Sequence, residues 1–352
     1  MVVEKRVKAF VKLGEFLSQF KTNDIKELVN IPYNDLFFNS FAMQIKRAKE
    51  TNGWFTEDNI LYSFDSWSNI LNIKTLNKWI SRYSLDNIKP KNIGVIMAGN
   101  IPLVGFHDFL SVLISGNNII VKQSSNDKYF IPLIAKYLEK VEPEFNGKIA
   151  FTESKLEYFD AIIATGSNNT ARYFDYYFGK YPNIIRQNRN SIAVLTGKET
   201  EIDLKNLGED IFRYFGLGCR SVAKLFVPKN YDFDNFFKAI YSYKEIIDYK
   251  KYQNNYDYNK AVYLMSQFKL VENGFLMLKE DTSYSSPIAS LFYEYYENET
   301  ALKQKLTIEK EAIQCIVGNQ NIEGIVPFGT TQKPQLWDYA DGVDTLAFLE
   351  NL

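Results

Sequence analysis

From Asn92 onward the chain alternates short apolar runs with longer amphipathic stretches, and that rhythm admits few folds. Apolar runs fall at 92–98 (Ile93, Val95, Ile96), 118–122 (Ile119, Ile120, Val121), 148–152, 160–164 (Ala161, Ile162, Ile163) and 191–195 (Ile192, Val194, Leu195). Helical spacing fills the gaps at 102–115, 128–141 and 168–180. Strands that alternate with helices in this way form βαβ units, in which consecutive strands run parallel and the helices cover both faces of the sheet. The expectation is an α/β fold with one doubly wound domain.

Two further regions flank this one. Residues 4–20 place Val7, Phe10, Val11, Leu13, Phe16, Leu17 and Phe20 at helical spacing, and more helix is expected up to about residue 84. After Gly197 the pattern repeats more loosely. A helix is expected at 203–215, a strand at 222–227, long Tyr- and Lys-rich helices over 231–269, and strands near 274–278, 288–295 and 313–317. This reads as a second α/β domain, with boundaries at 1–198 and 199–330.

Composition narrows the chemistry. The formal charge of -1 over 352 residues supplies no basic field for nucleic acid. No apolar run approaches the roughly 20 residues of a membrane span, and the first 21 residues lack a signal-peptide pattern. A cytoplasmic location and a small-molecule substrate are expected. The two cysteines, Cys219 and Cys315, make no disulfide framework, and the single histidine, His107, leaves no basis for a His-based triad or a zinc site. No metal is expected.

Four segments carry candidate chemistry. Phe215-Gly216-Leu217-Gly218-Cys219-Arg220-Ser221 ends a helix on two glycines and delivers a cysteine beside an arginine, just before an apolar run over 221–227. Glycines allow a tight turn and close approach of a ligand. An electropositive, partly open setting favours the thiolate, the form that attacks carbonyl carbon, although a small buried cysteine is the plain alternative. Ala98-Gly99-Asn100-Ile101-Pro102 follows a strand and opens a helix, so Asn100 stands where α/β sheets bind ligands. Val121-Lys122-Gln123-Ser124-Ser125-Asn126 ends the next strand with groups suited to a phosphorylated ribose. Ala164-Thr165-Gly166-Ser167 leads into a helix whose first amides favour an anion. Neither G-x-G-x-x-G nor a P-loop is present.

Taken in order, these segments resemble the aldehyde dehydrogenase superfamily, and within it the bacterial fatty acyl-CoA reductases of luminescence systems. The resemblance lies in Gly99-Asn100-Ile101-Pro102-Leu103, Ser115-Gly116-Asn117-Asn118-Ile119-Ile120-Val121-Lys122, Ile163-Ala164-Thr165-Gly166-Ser167, Arg189-Asn190-Ser191-Ile192-Ala193-Val194-Leu195 and Gly216-Leu217-Gly218-Cys219. Pro327-Phe328-Gly329 is similar to the closing loop of the catalytic domain. The resemblance implies an aldehyde dehydrogenase-like fold: a doubly wound cofactor-binding domain plus an α/β catalytic domain, with residues 331–352 returning to the first domain or to a partner subunit. It implies Cys219 as nucleophile, Asn100 in the oxyanion hole, Gly166 and Ser167 near the cofactor pyrophosphate, and Lys122 at the adenine ribose.

Two departures sharpen the expectation. Where oxidising dehydrogenases carry a water-activating glutamate, this chain has Arg186-Gln187-Asn188-Arg189, which points to reduction of an acyl thioester instead of its hydrolysis. Ser125 replaces a glutamate that in NAD-preferring members holds the ribose, so NADPH is expected over NADH. The implied partners are a fatty acyl-CoA or other acyl thioester, an acyl-activating protein and further copies of the chain. The rival readings are a cysteine acyltransferase or thioesterase without nicotinamide, and a non-catalytic acyl- or CoA-binding relative. Arg186 and Arg189 are candidate phosphate contacts, as are Arg213 and Arg220. Glu209 and Asp210 read as a solvated helix face, and Cys315 as structural.

Overall fold

The helical spacing near the start forms α1 (Val3–Leu17), which buries Val7, Phe10, Leu13, Phe16 and Leu17 along one face. The computed structural model describes residues 1–352 except Asn23 and Asn87, and the backbone but not the side chain of Asn168. A short antiparallel ladder of β1 (Phe20–Lys21) and β2 (Asp24–Ile25) follows, then helices α2 (Asn34–Thr51), α3 (Glu57–Ile70) and α4 (Ile73–Ile80). Thr56 and Asn72 cap α3 and α4, their side chains accepting from the backbone amides of Asn59 and Thr75.

The βαβ region builds a five-stranded parallel sheet in the order β5-β4-β3-β6-β7. Its strands are β3 (Asn92–Ile96), β4 (Asn118–Lys122), β5 (Ile149–Phe151), β6 (Ala161–Thr165) and β7 (Asn183–Arg186). Helices α5 (Phe106–Ser115), α6 (Phe130–Val141) and α7 (Asn168–Phe178) connect them. The chain starts at central β3, winds outward through β4 and β5, then reverses to β6 and β7. The loops after β3 and β6 therefore flank the point where winding reverses, which is where doubly wound sheets bind ligands.

The second sheet has seven strands in the order β10-β11-β12-β9-β8-β13-β14. They are β8 (Asn190–Val194), β9 (Val222–Pro228), β10 (Leu270–Glu272), β11 (Met277–Glu280), β12 (Ser290–Tyr296), β13 (Ile313–Val317) and β14 (Ile325–Val326). All pair in parallel except β10 with β11. Helices α8 (Glu201–Phe212), α9 (Asp234–Ile240), α10 (Lys250–Met265) and α11 (Glu299–Ile308) connect them. Lys224, wholly buried in β9, pairs with Glu294 of β12 at 2.6 Å. The C-terminal segment contains α12 (Thr345–Glu350), which packs on α5.

The chain accordingly divides into Met1–Gln187 with Gln335–Leu352, and Asn188–Pro334. This moves the expected boundary at 198. The run at 191–195 looked like the last strand of the first sheet, but as β8 it pairs with β9 and β13 in the second. The first sheet is completed instead by β7, in which Ile184 and Ile185 between Asn183 and Arg186 make too short an apolar run to mark a strand. Two helices also differ from expectation. The one expected from 102 starts at Phe106, because Leu103 has φ 57 and cannot continue a right-handed helix. The long helices over 231–269 are interrupted by a 3-10 stretch at Tyr241–Asp248.

Candidate active site

Cys219 is placed by a turn with unusual backbone. Helix α8 is fixed at its start by a capping box between Thr200 and Asp203 and held on the sheet by Leu204, Leu207, Ile211 and Phe212. It ends in three successive left-handed residues: Tyr214 (φ 55), Phe215 (φ 58) and Gly216 (φ 74). For non-glycine residues this conformation costs about 1–2 kcal/mol each and persists only where the surroundings over-determine it. Here Tyr214 is buried and Phe215 stacks on Tyr249 with centroids 4.7 Å apart. The reversal delivers Cys219, exposed, at the amino-terminal edge of β9. Ser191 Oγ donates to the Cys219 carbonyl at 3.1 Å, tying the turn to β8.

Cys219 borders a cavity of about 230 Å³ along the amino-terminal edge of the second sheet. Phe212, Phe215, Leu217, Tyr252 and Leu276 supply apolar wall, while Asn188, Asn190, Ser221, Ser285 and Ser286 supply polar groups. An apolar wall with a few polar groups beside a nucleophile suits an acyl carbonyl and the start of its chain.

Asp210 departs from the solvated face read in the sequence. It is fully buried and accepts from the backbone amides of Gly329 (2.6 Å) and Thr331 (3.0 Å) and from Thr331 Oγ1 (2.8 Å). Burial pushes its carboxyl up to about 6, outweighing those donors. Asp210 thus fastens the Pro327-Phe328-Gly329 loop to the helix that leads into the Cys219 turn. Three of the candidate arginines have partners within the protein. Arg213 pairs with Glu209 at 2.5 Å, Arg220 Nη1 donates to the sulfur of buried Cys315 at 3.0 Å, and Arg189 pairs with Glu311 at 2.9 Å.

The first unit gathers the remaining candidates on the carboxyl-end loops of its sheet. Asn100 is exposed on the turn after β3. Lys122 ends β4 and donates to the Ser154 carbonyl at 3.0 Å, and Ser125 is exposed on the turn beyond. A Cβ on Gly99 would lie 2.5 Å from Ser124 Oγ, so these two loops touch. Ser167 caps α7, its hydroxyl accepting from the Thr170 amide. A Cβ on Gly166 would meet Phe174 at 2.9 Å and Thr170 at 3.0 Å. Gly166 is therefore required for the chain to pass close beneath the helix start, a cradle that fits the phosphates of a dinucleotide.

Two buried groups complete this unit. Arg186, at the end of β7, pairs with Asp108 of α5 at 2.5 Å and donates to Thr345 Oγ1 at 3.1 Å, so it is a structural ion pair and not a phosphate contact. Asp127 accepts from the Leu103 amide at 2.9 Å, and burial pushes its carboxyl up to about 7. The sequence gives no signal for Asp127 and a solvated face for Asp210, because an isolated aspartate gives no sign of its burial. His107 lies between the rings of Trp79 and Tyr339 and hydrogen-bonds the Leu336 carbonyl. Among the described residues no cluster of three or more His, Cys, Asp or Glu could hold a metal, and no helix is long and apolar enough to cross a membrane.

Solved structures of aldehyde dehydrogenases show the same fold. Aldehyde dehydrogenase 21 from Physcomitrella patens, solved with its product succinate, aligns over 100% of this chain and 84% of its own, with a TM-score of 0.67 at 11% identity. An NAD-dependent benzaldehyde dehydrogenase from Corynebacterium glutamicum aligns over 93% and 81%, with TM-score 0.61 at 14% identity. The aldehyde dehydrogenase from Bacillus cereus in its NAD+ complex aligns over 92% and 73%, with TM-score 0.57 at 10% identity. The chain has the aldehyde dehydrogenase-like fold. A family model described as Acyl-CoA reductase (LuxC) matches residues 39–281, more than half of the chain. The protein belongs to this acyl-CoA reductase family, which places it among oxidoreductases acting on acyl and aldehyde groups. No curated protein sequence matches it significantly.

Proposed function

We propose that the protein reduces a long-chain fatty acyl-CoA, or a related acyl thioester, to the aldehyde with NADPH through an acyl-cysteine at Cys219. The observation that carries this reading is an exposed cysteine, set by a left-handed turn on the rim of a partly apolar cavity, in a chain of the acyl-CoA reductase family. The Cys219 thiolate attacks the thioester carbonyl carbon, and the tetrahedral adduct collapses with loss of the CoA thiolate. Asn100 serves that step by donating its side-chain amide to the oxyanion, a contribution of about 3 kcal/mol for such a donor. Nicotinamide, when bound, supplies the hydride that turns the acyl group into aldehyde and frees the Cys219 thiolate.

The chain's own residues explain why reduction competes with hydrolysis. Where the family resemblance puts a water-activating glutamate, Arg186 stands buried in its pair with Asp108. No base is there to activate water, so the acyl-enzyme persists long enough to be reduced. Gly166 and the start of α7 are assigned to the pyrophosphate, Ser167 beside it, and Lys122 to the adenine ribose. Ser125 carries no charge, and the nearest carboxylate on that turn, Asp127, is buried against Leu103. Nothing on this turn repels a 2'-phosphate, which favours NADPH. The same reading includes an acyl-activating protein partner and a homo-oligomer.

Purified protein mixed with tetradecanoyl-CoA and NADPH is expected to consume NADPH and release CoA thiol in equal amounts. CoA release without NADPH loss would assign the chain to acyl transfer or hydrolysis. Neither change with any chain length or with NADH would make it a binding protein. For the cofactor, Ser125→Glu is expected to raise KM for NADPH by about tenfold or more through repulsion of the 2'-phosphate, leaving that for NADH within a few-fold. Equal changes in both values would remove the basis for NADPH.

A further inference from the structure

Asn100 is exposed on its turn, and the point from which its side chain starts is set by what grips the backbone on either side. That grip comes from buried side chains outside the turn. Ser63 Oγ of α3 donates to the Pro102 carbonyl at 3.1 Å, and Asp127 Oδ2 accepts from the Leu103 amide at 2.9 Å. Leu103 has φ 57, a left-handed conformation that a leucine keeps only while its surroundings hold it. On the other side of Asn100, a Cβ on Gly99 would lie 2.5 Å from Ser124 Oγ and 3.2 Å from the Asp127 amide nitrogen. The 124–127 turn therefore grips the Asn100 turn at both ends.

Asp127 is an expensive residue for this position. It is 8% exposed, and among the described residues its Oδ1 has no hydrogen-bond partner. A buried carboxyl with one oxygen unsatisfied costs stability that a hydrophobic or hydroxyl side chain would not. Among the described residues its side chain accepts from the strained residue three positions after Asn100. We infer that Asp127 is a positioning residue which, through the Leu103 amide, fixes the backbone from which Asn100 presents its side-chain amide to the substrate carbonyl. The inference rests on the reading of Asn100 as an oxyanion donor.

The test compares Asp127→Asn and Asp127→Leu in the full chain. The readouts are single-turnover acylation of Cys219 by tetradecanoyl-CoA without NADPH, steady-state kcat and KM, alkylation of Cys219 by iodoacetamide, and thermal melting. Asp127→Asn keeps an acceptor for the Leu103 amide and is expected to acylate within about threefold of wild type. Asp127→Leu is expected to slow acylation and kcat by about 100-fold, the scale on which a displaced donor acts. Its KM and its alkylation rate stay within a few-fold, because alkylation develops no oxyanion. Adding Asn100→Ala to Asp127→Leu is expected to slow acylation little further, since both changes remove one contribution.

Acylation by Asp127→Leu at the wild-type rate overturns the inference, as does full additivity with Asn100→Ala. So does a parallel loss of acylation, alkylation and cooperative melting while Asp127→Asn fails in the same way, which marks a purely structural residue. If Asp127→Leu alone does not fold, Asp127→Ser, whose hydroxyl falls short of the Leu103 amide, is judged by the same criteria. A wild-type protein that is alkylated but never acylated refutes the acyl-transfer reading itself and takes this inference with it.

Discussion

Cys219→Ala is expected to lose thioester-dependent oxidation of NADPH by about 10^4-fold or more, the scale seen when a covalent nucleophile is removed. The variant should fold normally. Cys219 is exposed, and its turn is held by backbone and neighbouring contacts that alanine leaves intact: Ser191 Oγ on the Cys219 carbonyl, and Phe215 stacked on Tyr249. Affinity for NADPH, measured by fluorescence titration, should stay within a few-fold of wild type, because the residues assigned to the cofactor lie on the β4 and β6 loops. Substantial reduction by this variant would mean direct hydride attack on the thioester, and the acyl-cysteine would have to be abandoned.

Arg186→Ala is expected to destabilise the protein by about 3–5 kcal/mol, since it leaves Asp108 buried without its counter-charge. Arg186 and Asp108 are 5% and 6% exposed and 2.5 Å apart, and the guanidinium also donates to Thr345 at the start of α12. One side chain thus ties the end of β7 to α5 and to the C-terminal segment. Urea denaturation should show the midpoint falling without a large change in slope. Replacing both partners, Arg186→Met with Asp108→Leu, should recover most of the loss, because a matched apolar pair leaves no stranded charge. A single variant within 1 kcal/mol of wild type would show that solvent reaches this pair.

How much of the fold is legible in the sequence follows from how local each signal is. The β3, β4 and β6 runs are short, branched and bounded by turns, so periodicity alone fixed them nearly to the residue. Which sheet a run joins is set by partners distant in sequence, and that is why 191–195 was expected in the wrong one. Gly216, Gly218 and the Arg220 beside the cysteine mark the Cys219 turn in the sequence. Left-handed Tyr214 and Phe215 gave no sign, since both residues prefer ordinary backbone and are held here by tertiary packing. The burial of Asp127 and Asp210 leaves no trace in the sequence for a related reason: an aspartate normally faces water, and only the assembled fold shows these two aimed at backbone amides.

The most direct test of the central claim is to trap the intermediate. Protein mixed with tetradecanoyl-CoA in the absence of any nicotinamide should gain the mass of one tetradecanoyl group, and the peptide bearing it should contain Cys219. A chase with NADPH should remove that mass and yield one equivalent of tetradecanal. Acylation of Cys315 or of a lysine, or an acyl group on Cys219 that NADPH does not discharge as aldehyde, would contradict the account.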